Sequence, residues 1–207
     1  LDSSWVLAHC IHNTELDLEQ MAHVGASLVY TPTSEAIRGG GIGPAASAMK
    51  AGVLTTLGTD GPMVDYCVDM VEQMKTAMLM QHVRHLDPTR MPVERTMATI
   101  NGAKALGLES EIGSLEAGKK ADIAIFDMDK PHIGVLHRPL SSFITAGRGS
   151  DAKWVLVDGE IVYRQGTFPR LADGKAVIRN AERAARAILD KVGLAHRLDN
   201  PWRSPAA

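Results

Sequence analysis

VLTTLGTDGP (residues 53–62) is a short apolar and β-branched run that ends at a glycine and is followed by a carboxylate. The length of the run favours a buried strand over a helix. Gly58 and Gly61 permit tight turns around Asp60, and Pro62 prevents the strand from continuing as a central strand. Asp60 is therefore expected at the C-terminal tip of a buried strand, where α/β barrels carry their catalytic groups. For a lone Asp, closing a turn or capping the next helix is the commoner role.

Two more apolar runs, residues 5–8 and 26–30, precede this strand at the spacing of βα units. Strands that alternate with helices in this way are expected to be parallel, and such sheets carry their active sites at the carboxyl ends of the strands. His9, Tyr30 and Asp60 all fall at those ends. The three residues are therefore candidates for an active site.

Caps and stop signals predict where the helices lie. Asn13 or Thr14 can cap the first helix, and Gly25 ends it. Further helices are expected over residues 44–51, 64–82, 92–106 and 176–192. From residue 112 the pattern changes to β, with a strand over residues 121–127 and a hairpin that turns at Asp158-Gly159.

Composition narrows the classes of partner. The net charge of −2 gives no basic surface for nucleic acid and no polybasic patch for a membrane. No apolar run reaches membrane-spanning length, and no signal peptide is recognisable. Two cysteines, Cys10 and Cys67, are too few for a disulfide framework and fit a reducing compartment, so a cytoplasmic location is expected.

Four motifs follow one another along the chain: His9-Cys10-Ile11-His12, Pro32-Thr33-Ser34, Gly40-Gly41-Ile42-Gly43-Pro44 and Leu57-Gly58-Thr59-Asp60-Gly61. Residues 101–107 and 113–122 continue the series. Together they resemble the amidohydrolase superfamily, and within it the deaminases and hydrolases of nucleobases, adenosine derivatives and s-triazines. Several ordered motifs are far more specific than any single one.

The resemblance implies an α/β fold in three parts. Residues 1–110 would be the C-terminal part of a TIM (β/α)8 barrel, with its sixth to eighth strands and the helices that follow them. Residues 111–170 would be a β-sandwich segment, and residues 171–207 a C-terminal helix and tail. None of the eight histidines forms the His-x-His pair of the family's first strand, so that pair is expected upstream of Leu1. By itself the chain is then expected to bind metal weakly or not at all and to show no turnover.

The resemblance also assigns roles to individual residues. Asp60 would bind one divalent metal ion, zinc or iron, and accept a proton from the water bound to it. His9 would hydrogen-bond this water or the developing tetrahedral oxyanion. Tyr30 stands where the family usually has His, and Glu35 where it usually has Asn, and both are expected to contact the substrate. Glu35 could instead be a solvated loop charge, and Arg38 has the same two interpretations.

The leading hypothesis is a metal-dependent hydrolase of carbon–nitrogen bonds in a nitrogen heterocycle, a deaminase that releases ammonia. The implied partners are a small heterocyclic substrate and, for the full-length protein, further copies of itself. Two alternatives stay open. The same attack by water could displace a chloride, alkylthio or amide group, or the chain could be an inactive remnant whose open sheet edges bind a partner.

Overall fold

A computed structural model describes residues 2–65, 67–88, 93–135, 137–171 and 173–197. The helix start predicted at Pro92 and the tail predicted from Pro201 onward lie outside these residues. Within the described part of the chain, no helix is both long enough and apolar enough to cross a membrane.

The first sheet has three parallel strands in the order β1-β2-β3, as the alternation of strands and helices predicts. The strands are β1 (Val6–Ala8), β2 (Ser27–Tyr30) and β3 (Leu54–Leu57). The helices around it are α1 (Glu15–Val24), α2 (Pro32–Ile37), α3 (Ala45–Lys50), α4 (Pro62–Asp65) and α5 (Met70–His85). A π-helical segment (Val93–Ile100) with a non-helical residue at Thr99 then leads into α6 (Asn101–Ala105).

Helix α1 begins and ends where its sequence signals predict. The Thr14 hydroxyl accepts a hydrogen bond from the Asp17 amide at 3.3 Å, and the Asp17 carboxylate accepts one from the Thr14 amide at 2.7 Å. This reciprocal pair satisfies two amides that the first turn leaves unpaired, so Thr14 rather than Asn13 is the cap. Gly25 ends the helix with φ +76°, a left-handed conformation that glycine adopts without steric cost.

The single long helix predicted over residues 64–82 is wrong, because the chain forms two helices there, α4 and α5. Asp69 lies between them and caps α5, since its carboxylate accepts hydrogen bonds from the amides of Val71 and Glu72. The other carboxylate oxygen accepts one from the Gly149 amide at 2.8 Å. A side chain that satisfies the first-turn amides fixes a new helix start in the middle of an apolar pattern.

The second sheet is antiparallel, with the order β4-β5-β6. Its strands are β4 (Ile123–Phe126), β5 (Ala152–Val157) and β6 (Glu160–Arg164). Asp158 (φ +51°) and Gly159 (φ +79°) join β5 to β6. Positive φ at both turn residues is the geometry that follows the twist of the strands, so the predicted Asp-Gly hairpin is confirmed. Helix α7 (Pro139–Ala146), between β4 and β5, was not predicted, and α8 (Gly174–Lys191) follows the sheet.

The core of the described chain lies between the first sheet and the helices packed on it. Leu28 and Tyr30 of β2 are fully buried with Met21 of α1 and Met97 of the π-helical segment. Burial of side chains of this size stabilises the fold by about 1.5–3 kcal/mol each. Strand β3 also buries polar side chains, and the Thr56 hydroxyl donates a hydrogen bond to the Met97 carbonyl at 2.8 Å. This bond fixes β3, which leads to Asp60 three residues later, against the π-helical segment.

Candidate active site

The carboxyl ends of the three parallel strands bring His9 and Asp60 together, although 51 positions separate them in the sequence. His9 directly follows β1, and Asp60 comes three residues after β3. The distance from His9 Nε2 to Asp60 Oδ2 is 3.7 Å. Both residues have positive φ, +68° for His9 and +63° for Asp60. Residues other than glycine rarely adopt this conformation, and such residues cluster at functional sites.

Close packing beneath the site requires Gly58. A Cβ at Gly58 would lie 2.7 Å from Cγ1 of Val29 on β2, closer than two carbon atoms can approach. Gly58 is not among the glycines with positive φ, so what requires a glycine here is this packing and not a left-handed turn. The absence of a side chain lets the end of β3 lie against β2.

Asp60 is held by donors on both carboxylate oxygens. The Ser34 hydroxyl donates to Oδ2 at 2.6 Å, and the Gly61 amide donates to Oδ1 at 2.7 Å. These hydrogen bonds, with His9 and Arg38 nearby, hold the pKa of the Asp60 carboxyl below its usual range. The side chain is 26% exposed, so Asp60 is an ionised carboxylate that solvent and small molecules can reach.

His9 is surrounded by polar groups from the two residues that flank helix α2, Thr31 and Arg38. Its Nδ1 atom lies 2.7 Å from the Thr31 hydroxyl oxygen. The Arg38 guanidinium lies 3.3 Å from Nδ1 and 3.4 Å from Nε2, and its Nη2 atom is 3.8 Å from Asp60 Oδ2. A histidine, a carboxylate and a guanidinium therefore share one partly exposed cluster at the strand ends.

Glu35 is enclosed by protein, with 1% of its surface exposed. Its Oε2 atom accepts a hydrogen bond from the Gly43 amide at 2.9 Å, and Oε1 accepts one from the Thr31 amide at 3.4 Å. Burial raises the pKa of the Glu35 carboxyl to about 6, against the lowering effect of these hydrogen bonds. The interpretation as a solvated loop charge is wrong, because Glu35 is buried and belongs to helix α2.

Gly43 is packed as tightly as Gly58. A Cβ at Gly43 would lie 2.8 Å from Glu35 Oε2 and 3.1 Å from the Tyr30 ring. Tyr30 is fully buried, and burial raises the pKa of its phenol. Its hydroxyl oxygen accepts a hydrogen bond from Gln81 Nε2 at 3.0 Å. The role of substrate contact stays a prediction for both Tyr30 and Glu35.

Sequence reasoning gave no role to Thr31, Ser34 or Gln81, which the structure places in or behind the site. Gln81 Nε2 also donates to the Gly43 carbonyl at 2.9 Å, and its Oε1 accepts from the Ala46 amide at 3.1 Å. Thr31 could have been noticed because it directly follows a strand. Ser34 belongs to the Pro32-Thr33-Ser34 motif, which the sequence did mark without giving this residue a role of its own, whereas no local signal marks Gln81 on α5.

The described residues do not form a complete metal site. No three His, Cys, Asp or Glu side chains among them are grouped closely enough to hold an ion. Asp60 supplies one donor of suitable type. A catalytic zinc ion takes three protein ligands and a water molecule, so at least two more ligands are required.

The comparisons with known proteins agree with this arrangement. The sequence model described as "Amidohydrolase family" matches residues 1–162. A 5-methylthioadenosine/S-adenosylhomocysteine deaminase of Desulforudis audaxviator is 37% identical over 187 residues, which cover 89% of this chain and 43% of that protein. The chain thus spans less than half the length of the curated relatives it matches.

Two zinc-containing crystal structures have the same fold. An adenosine deaminase from Xanthomonas campestris with bound zinc superposes with a TM-score of 0.86 at 28% identity, over 90% of this chain and 43% of its own. An atrazine chlorohydrolase from Arthrobacter aurescens complexed with zinc gives a TM-score of 0.77 at 25% identity, over 88% of this chain and 41% of its own.

Proposed function

This chain belongs to the amidohydrolase family, and we propose that it forms part of a deaminase that releases ammonia from an adenosine derivative. The observation that carries the proposal is the pairing of His9 with Asp60 at the ends of β1 and β3. The deaminase activity in the names of the similar proteins supports an amino leaving group.

In this proposal Asp60 accepts a proton from the attacking water. The hydrogen bonds from Ser34 and Gly61 keep the carboxylate ionised and fix its orientation, so it is ready to accept at neutral pH. His9, 3.7 Å away, hydrogen-bonds either the attacking water or the oxygen of the tetrahedral intermediate. The two side chains then act on the same atom, because in a deamination the oxygen of the tetrahedral intermediate comes from the attacking water.

Amidohydrolases are metal-dependent, and a bound zinc ion lowers the pKa of its water towards ~7. Asp60 is proposed as one ligand of such an ion, and the remaining ligands would come from outside the described residues. Zinc is favoured over iron because both structures compared above contain zinc. A cytoplasmic, homo-oligomeric protein remains the expectation from the sequence.

The test combines the chain with the part of the Desulforudis relative that it does not match, by co-expression. Zinc content and ammonia release from 5′-methylthioadenosine are measured for the wild-type chain and for Asp60→Asn. Asp129→Asn, which changes an exposed aspartate far along the sequence, is the matched control. The proposal expects Asp60→Asn to lose both properties and Asp129→Asn to keep them. Unchanged zinc and ammonia in Asp60→Asn would refute the role of Asp60.

A chloride leaving group is the second candidate, because the atrazine chlorohydrolase superposes on most of this chain. The same reconstituted protein can be supplied with chlorinated s-triazines and assayed for chloride. Release of chloride without release of ammonia from any aminopurine would favour this candidate over the deaminase.

A further inference from the structure

The Thr31 hydroxyl lies between the ring of His9 and the buried carboxylate of Glu35. Thr31 Oγ1 is 2.7 Å from His9 Nδ1 and 3.5 Å from Glu35 Oε1, and Thr31 itself is buried. The two ring nitrogens of a neutral histidine are different, since one donates and the other accepts. The hydrogen-bond partner of Nδ1 therefore determines which of the two ring nitrogens carries the proton.

The carboxylate determines the direction of these hydrogen bonds. An ionised Glu35 can only accept, so each polar group against it must donate, as the amides of Thr31 and Gly43 do. The Thr31 hydroxyl is placed to donate its single proton to Oε1. With that proton directed across the 3.5 Å contact to Oε1, the hydroxyl oxygen is left to accept the proton of His9 Nδ1 at 2.7 Å.

Arg38 does not distinguish the two tautomers. A guanidinium only donates, and its Nη2 atom lies 3.3 Å from Nδ1 and 3.4 Å from Nε2, so it is almost equally near both ring nitrogens. Asp60 does not require a proton on Nε2, because their 3.7 Å separation exceeds a hydrogen bond and Oδ2 already accepts from Ser34.

We propose that Glu35 is a positioning residue, which acts through the Thr31 hydroxyl to hold His9 with its proton on Nδ1 and its lone pair on Nε2. Neutral His9 then accepts a hydrogen bond from water at Nε2 and does not donate one to an oxyanion. The proposed function leaves two roles to His9, and this inference selects the hydrogen bond to water. It rests on the proposed function for that catalytic role, but the tautomer itself does not depend on it. The tautomer is a property of the chain without substrate or metal.

The test is the ¹⁵N NMR spectrum of the histidine rings in the chain labelled with ¹⁵N-histidine. The His9 signals are assigned by their loss in His9→Gln, and the tautomer is read from the neutral form, which the ring shifts identify. The expected result is a protonated Nδ1 and an unprotonated Nε2 in the wild-type chain. A protonated Nε2 would overturn the proposal.

Three substitutions test the relay itself. Thr31→Val removes the hydroxyl at nearly constant shape and is expected to make the Nε2-protonated form the major tautomer, whereas Thr31→Ser keeps the hydroxyl and the wild-type pattern. Thr33→Val is the matched control two residues along, because the buried Thr33 hydroxyl has no hydrogen-bond partner within the described part of the chain. An unchanged His9 spectrum in Thr31→Val would contradict the inference.

Glu35→Gln gives an independent test if Thr31→Val does not fold. The amide oxygen is expected on the Gly43 side, because the Gly43 amide is the nearer donor at 2.9 Å, against 3.4 Å for the Thr31 amide. The amide nitrogen then donates to the Thr31 oxygen, so the hydroxyl proton turns towards His9 Nδ1. The expected result is again a protonated Nε2, and a protonated Nδ1 in this variant would refute the role of Glu35. These spectra do not require turnover, so they can be interpreted even if the chain is not part of a deaminase. In the same way, a tautomer other than the expected one would leave the deaminase proposal standing.

Discussion

Replacement of Glu35 by Gln is expected to remove a pH dependence of stability that the wild-type chain carries. Burial raises the pKa of the folded Glu35 from 4.5 to about 6. Because the pKa of Glu35 is higher in the folded chain than in the unfolded chain, the protonated carboxyl favours folding. This contribution of Glu35 to stability is fully present below pH 4.5 and is lost as the pH rises through about 6. A shift of roughly 1.5 pH units corresponds to about 2 kcal/mol.

The effect of Glu35 on stability can be measured by comparing two differences in the free energy of unfolding, wild type minus Glu35→Gln at each of two pH values. Urea unfolding followed by circular dichroism gives the free energy of unfolding of both chains at pH 7.5 and pH 4.5. Relative to Glu35→Gln, the wild-type chain should gain about 1.5 kcal/mol at the lower pH, since protonation of the unfolded Glu35 is then half complete. Asp60, whose lowered pKa acts in the opposite direction, is present in both chains and cancels.

Glu19→Gln, an exposed position on α1, is the matched control and should show no such gain. The reasoning would be refuted if the difference between wild type and Glu35→Gln were the same at both pH values. A wild-type chain that loses stability relative to the variant at pH 4.5 would show that hydrogen bonding, and not burial, dominates the environment of Glu35.

Two further substitutions test the packing behind the site, each by the free energy of unfolding. Gln81→Leu should lower the free energy of unfolding by about 2–4 kcal/mol, because Gln81 is only 2% exposed and its loss leaves two backbone groups without hydrogen bonds. Gln20→Leu, at an exposed position, should change stability little, and equal effects of the two substitutions would contradict the argument. Gly58→Ala should lower the free energy of unfolding by about 1–3 kcal/mol, because the new methyl group overpacks against Val29. Adding Val29→Ala should recover part of this stability. A Gly58→Ala chain as stable as the wild type would show that β2 and β3 separate easily.

Local signals predicted the parts of the fold that depend on neighbouring residues. Thr14 and Gly25 bound α1 because both ends of a helix are stabilised within a few residues, and Asp158-Gly159 forms a hairpin for the same reason. Asp69 was missed as a helix start because an apolar pattern continues across it. Its contact with the Gly149 amide joins residues 80 positions apart, which no local pattern indicates.

The residues of the site also fall into two groups, those whose position the sequence predicts and those whose environment it does not. His9 and Asp60 could be predicted because parallel strands bring their carboxyl ends to one edge, so sequence order alone makes them neighbours. The burial of Glu35 could not, because it depends on the amide of Gly43 and on helix α2 forming where a loop was expected. Whether a carboxylate is solvated or enclosed is decided by the surrounding chain and not by its own residue type.

The tight packing at Gly43 has a consequence for how this sequence can change. Its missing side chain leaves the space that Glu35 Oε2 occupies, 2.8 Å from where a Cβ would be. The Tyr30 ring at 3.1 Å and the His9 carbonyl oxygen at 3.2 Å would crowd the same Cβ, so three parts of the site meet at this one backbone position. A shorter residue at position 35 would therefore still leave position 43 crowded. Evolution can change the acid and keep the glycine, but it cannot replace the glycine while all three neighbours stay in place.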